Sequence, residues 1–160
     1  MNDAANASVA DLRRLVGEWA TEGTHPLVPG TTVQGTTVFE WMRGEKFLLV
    51  TARVDHPDFP DSISIIGDTS VDRIEPDAAP PQGSGLRMHY FDERGVHRVF
   101  EVAIGEDTFE LVRIAPGFSQ RFSGTFVDGG SKIVGLWKLS RDGKRWDDDL
   151  RITYRRRRGT

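Results

Sequence analysis

The chain has 160 residues, 38% hydrophobic and 28% charged, and a formal net charge of −3. That balance is too apolar for a disordered chain and supplies no overall field for nucleic acid or anionic lipid. There is no cysteine, which excludes a disulfide scaffold, thiolate metal sites and a cysteine nucleophile, and suits a reducing compartment.

One domain over residues 1–160 is expected for this length. Met1 to Ala10 lacks the basic-then-apolar order of a secretory signal, and the longest uninterrupted apolar stretch, Phe47 to Val50, is far too short to span a bilayer. A cytoplasmic location is the default expectation. Ser8-Val-Ala-Asp11 reads as a helix start, with Ser8 as N-cap and Asp11 in the first turn. Val9, Leu12, Leu15 and Val16 then share a face and Gly17 stops the run, so a short helix is predicted over 8–16.

From Gly17 the period becomes two, with runs of Val, Ile, Thr and aromatics punctuated by Gly, Pro, Asp and Asn. Ten strands are predicted, at 17–24, 31–42, 45–54, 62–72, 85–92, 96–104, 107–114, 118–127, 131–140 and 145–156. Links such as Arg43-Gly44, Arg94-Gly95 and Asp128-Gly129-Gly130 suit antiparallel hairpins, and no parallel crossover has room to form. Only Glu75 to Gly85, with three prolines, is a long irregular loop. The expected fold is all-β: an antiparallel up-and-down barrel of about ten strands, closed at one end by the helix.

The opening Leu12-x-x-Leu15-x-Gly17-x-Trp19-x-x-x-Gly23 and the ending Asp142-Gly-Lys-x-Trp146 with Tyr154-Arg155 resemble the lipocalin-like (calycin) small barrels over nearly the whole chain. Gly23-Thr24-His25-Pro26, Phe39-Glu40-Trp41 and His89-Tyr90-Phe91-Asp92 are similar to a bacterial branch of that group, to which no activity attaches. The related nitrobindins bind haem through a histidine near the C-terminus. Here no histidine follows His97, so the resemblance implies neither haem nor any other cofactor, although Tyr154 is a residue type able to ligate iron.

Alternating strand direction sorts the loops into two ends. The end where the first strand finishes, here the top, receives His25–Gly30, Asp55–Asp61, Asp92–Val96, Ala115–Phe118 and Arg141–Arg145; the helix and the Pro-rich loop go to the bottom. All four histidines (His25, His56, His89 and His97) and Arg53, Arg113 and Arg121 fall near the top. Alternation within strands turns Val33, Gly35, Thr37, Phe39 and Trp41 inward, with Phe109, Leu111 and Arg113, then Phe118, Gln120, Phe122, Gly124 and Phe126, then Trp146, Asp148, Leu150, Ile152 and Tyr154. In the third strand both parities are apolar; Arg53 shares the register of Phe47, Leu49 and Thr51. A ligand cavity opening at the top is therefore expected, lined by Thr37, Phe39, Trp41, Arg53, His89, Arg113, Gln120 and Tyr154.

Arg53, Arg113 and Tyr154 suit a carboxylate held by charge-assisted bonds, as fatty-acid-binding barrels of the wider superfamily use Arg and Tyr; the plainer reading has the arginines at the rim, in solvent or paired with Glu40, Glu101 or Asp148. A His89–Glu101 or His97–Asp92 pair would serve acid–base chemistry or simply hydrogen-bond. The histidines lack metal-ligand spacing, so no metal is expected. The tryptophans Trp19, Trp41, Trp137 and Trp146 either fill the barrel or line a cavity. Arg155 to Arg158 reads as a solvated tail, since no basic aromatic sheet face accompanies it, and the turns do not spell a phosphate loop. Three functions stay open. The leading one is a non-enzymatic binder of a small, mostly apolar or amphipathic molecule, with or without a carboxylate, and with no nucleic-acid or membrane partner. The second is a barrel enzyme of isomerase, cyclase or hydrolase type using His89, His25 or Glu101. The third is an interaction module with a filled lumen. The sequence sets no oligomeric state.

Overall fold

Ten antiparallel strands in consecutive order close into a barrel, the first pairing with both the second and the last. The structure is a computed structural model describing residues 8–69 and 85–158. The strands are β1 (Gly17–Thr24), β2 (Thr32–Trp41), β3 (Phe47–Val54), β4 (Ser62–Asp68), β5 (Leu86–Asp92), β6 (His97–Ile104), β7 (Thr108–Arg113), β8 (Ser119–Val127), β9 (Lys132–Ser140) and β10 (Asp147–Arg156). Period-two patterning and Gly-bearing turns dictate this arrangement, and closure leaves no strand edge unpaired. The predicted end of β4 beyond 69, and the Pro-rich loop before Gly85, lie outside the described residues.

The predicted helix is present as a 3₁₀ helix, Val9–Leu15. The Asp11 carboxylate accepts from the Ser8 backbone N–H at 2.8 Å, fixing its start. Leu12 and Leu15 are fully buried beneath the barrel, beside Trp19, whose indole N–H donates to the Leu15 carbonyl at 2.8 Å. Arg156 lies under Trp19, with its guanidinium 4.2 Å from the ring centroid, and donates to the carbonyls of Arg14 and Val16; Arg157 pairs with Glu18. The basic tail, expected to be solvated, thus fastens the helix to the seam between β1 and β10.

The lower barrel is packed solid. Phe39, Leu48, Ile66, Leu86, Phe100, Val102, Phe109, Phe122 and Ile133 belong to one buried cluster with the helix leucines. Gly124 and Gly135 face each other across β8 and β9, and a Cβ at Gly135 would sit 2.3 Å from the Phe122 ring. Two side-chain-free positions thus make the space that Phe122 fills.

Candidate binding site in the upper lumen

Above this floor the inward-facing side chains pack against the core but are less completely buried. Ala52, Tyr90, Trp137, Leu139, Ile152 and Tyr154 face inward by register yet stay only half-buried. Their aromatic base is continuous: Phe122 lies 5.2 Å from Trp137 and 6.4 Å from Tyr154, and Trp137 lies 5.6 Å from Phe100. The Tyr154 hydroxyl has no partner among the described residues, and burial alone pushes its pKa up to about 12, so it is a neutral phenol.

One wall of the upper lumen, from β5 to β8, is cationic. Asp92, its side chain fully buried, accepts from the Tyr90 hydroxyl at 2.8 Å and from Arg94 at 2.6 Å. The Arg94 bonds outweigh burial and hold Asp92 down to about 2, while burial and the bond to Asp92 raise Tyr90 to about 12. Arg98 is different. It shares the inward register of Phe100 and Val102, its guanidinium rests 5.1 Å from the Phe118 ring centroid, and no carboxylate or carbonyl among the described residues bonds to it. Burial is the largest influence and lowers its pKa; Arg113 and Arg94 lower it further, against opposing attraction from Tyr90 and Asp92. Arg113 has one bond, to the Phe118 carbonyl at 2.6 Å. Three guanidiniums thus share one carboxylate, leaving an excess of positive charge in a partly desolvated wall.

The predicted lining residues separate into three groups. Thr37, Arg113, Gln120 and Tyr154 face the lumen; Phe39 and Trp41 also face inward, but at the helix end of β2. Arg53 and His89 do not line it. Leu48, Val50 and Ala52 take the inward positions of β3 and turn Arg53 into solvent. Leu86, Met88, Tyr90 and Asp92 do the same in β5, and His89 stacks outside on His97, with centroids 5.8 Å apart. Neither expected acid–base pair forms: Glu101 lies beside Arg87, His97 stacks on Phe91 at 4.6 Å, and Asp92 points inward. A register shift between Asp148 and Arg151 turns Asp148 outward to Lys138 and Arg151, and Trp146 lies outside under Arg121. Arg98 and Tyr90 escaped the sequence reading, although the alternation Arg98-Phe100-Val102-Ile104 carries the signal for Arg98.

At the rim, His25 contacts Asp149 through Nε2, and its Nδ1 accepts from the Leu27 N–H at 3.0 Å. Both ring nitrogens are therefore occupied, as suits a loop clamp. Phe59 packs edge-on to His25 and His56, at 5.5 and 5.3 Å. No group of three or more His, Asp or Glu suited to a metal occurs among the described residues. No helix among them is long and apolar enough to cross a membrane.

Against this geometry, no family model and no curated protein matches the sequence. Solved structures do. The crystal structure of Rv2717c from M. tuberculosis aligns over 96% of this chain and 99% of its own, with a TM-score of 0.59 and 16% identity. A de novo designed fluorescence-activating β-barrel aligns over 98% of this chain and 100% of its own, at a TM-score of 0.43 and 14% identity. At such identity, the likeness to Rv2717c establishes a shared barrel fold and nothing about ligand or activity.

Proposed function

We propose that this barrel is a cytoplasmic binder of a small amphipathic acid, whose carboxylate meets Arg98 and Arg113 while its apolar body lies over Trp137, Phe122 and Tyr154. The observation that carries the reading is Arg98: an inward-facing guanidinium that hydrogen-bonds to no acid among the described residues, beside a second arginine bonded only to a carbonyl. Desolvating a guanidinium is costly unless an anion compensates it, and a carboxylate bridging both arginines would do so. The half-buried aromatic floor offers the apolar complement, and the lipocalin-like sequence resemblance points the same way. Binding needs no proton transfer, in keeping with His25 being engaged at both nitrogens.

Dodecanoic acid and its methyl ester test this, read by tryptophan fluorescence and calorimetry. The acid is expected to bind tighter, and Arg113→Ala or Arg98→Ala to weaken it by about 1.5–3 kcal/mol, roughly 10- to 150-fold, with little change for the ester. Equal binding of acid and ester to the unmutated protein overturns the reading.

A further inference from the structure

Gln120 sits on the inner face of β8, directly opposite Arg113 in the β7–β8 register. Its side chain is buried, the residue only 9% exposed, yet its carbonyl oxygen Oε1 lacks any hydrogen-bond partner and is the one buried side-chain atom so placed among the described residues. The neighbouring donors are turned elsewhere: Arg113 donates to the Phe118 carbonyl and Arg98 lies over the Phe118 ring. Buried amide oxygens are normally paired, and leaving one unpaired opposes folding. In this orientation of the amide a carboxylate oxygen cannot relieve it, because both groups are acceptors, whereas a ligand hydroxyl or N–H would.

We infer that the ligand's head carries a hydroxyl or amide N–H within two carbons of its carboxylate, so that the acid meets Arg98 and Arg113 while the donor meets Gln120. The class is that of hydroxy acids and N-acylamino acids with an apolar tail. The register sets Arg113 and Gln120 side by side on the inner face, with Cβ atoms about 4.5–5.5 Å apart, so one ligand head can meet both. The inference rests on the acid-binding reading above and adds to it a demand that plain acids do not meet.

Calorimetry with dodecanoic acid, its 2-hydroxy and 3-hydroxy derivatives and the methyl esters of all three, on the unmutated protein and on Gln120→Met, separates the two. At least one hydroxy acid is expected to bind fivefold or more tightly than dodecanoic acid. Gln120→Met, apolar and of similar volume, is expected to abolish that preference while keeping acids ahead of esters. Acids ahead of esters with no hydroxyl preference in the unmutated protein overturns this inference and leaves the acid reading standing. A preference that survives in Gln120→Met, or equal loss of plain and hydroxy acids in that variant, also overturns it. Acids binding no better than esters overturns both. Even where the variant does not fold, the lack of a hydroxyl preference in the unmutated protein overturns the inference.

Discussion

On the inner face of the β5–β6 hairpin, Tyr90, Asp92 and Arg98 are held by short directional bonds or by a ring beneath a guanidinium. One residue away along each strand, on the outer face, His89, Phe91, His97 and Val99 form a stack of rings and apolar side chains open to water, with Phe91 43% exposed. The two faces share a backbone and differ in how they treat protons. Inside, Asp92 is held near 2 and Tyr90 near 12, so the polar wall keeps one charge state across the physiological range. Outside, the His89 pKa is lowered from 6.5 by burial first, then by His97 and Arg87, which leaves it titrating below 6.5. A site meant to hold an anion profits from the first arrangement, because its potential does not drift with pH.

The widest separation between the faces is expected in stability. Phe100→Ala on the inner face, at 2% exposure, should cost about 3–5 kcal/mol in urea denaturation, whereas Phe91→Ala on the outer face should stay within about 0.5 kcal/mol. Similar losses from both would break the comparison. A smaller effect is expected at Asp92. Its folded pKa of about 2 lies below the ordinary 3.8, so its ionised form stabilises the fold above pH 3.8, and that stabilisation is lost as pH falls through about 2. The shift corresponds to roughly 2 kcal/mol. Asp92→Asn should therefore be less stable than the unmutated protein by about that much at pH 7 and should converge with it near pH 2. The smallest effect is at His89. Its folded pKa is depressed, so stability contributed by its neutral form is present above 6.5 and lost as pH falls through the folded value. NMR titration should place its midpoint below 6.5, and His97→Gln should raise that midpoint only part of the way, since burial is the larger cause. A midpoint at or above 6.5 would remove the contrast in protonation.

The strand pattern was legible because apolar alternation and Gly-bearing turns are local signals, and each strand lies within a few residues of its expected place where described. The lumen was less legible where two parities compete. In β3, Phe47-Leu49-Thr51 and Leu48-Val50-Ala52 are equally apolar, so nothing local fixes which set turns in; the pairing of Leu48 with Trp41 and Ile66 settles it. In β5, nearness to the top end rather than alternation brings His89 into the expected lining, and the inward turn of Leu86, Met88, Tyr90 and Asp92 leaves it outside. Asp148 depended on a register shift between strands, which no single-strand pattern encodes. Arg98 was readable from its own strand, yet an arginine on an apolar face is easily assigned to the rim, and its missing partner is a fact of tertiary packing alone.

The seam between β1 and β10 has a consequence for the order of events in the life of the chain. Arg156 reaches Val16 from 140 residues further along the sequence, so this contact encloses nearly everything between them. Hairpins joined by short turns can form as the chain is made, but the seam waits for the final strand and carries the heaviest loop-closure cost. Until then β1 and β9 are open templates for any other extended chain. A messenger cut before Asp147 would yield nine well-patterned strands with two raw edges, a product whose natural course is association with its own kind rather than a slightly smaller barrel.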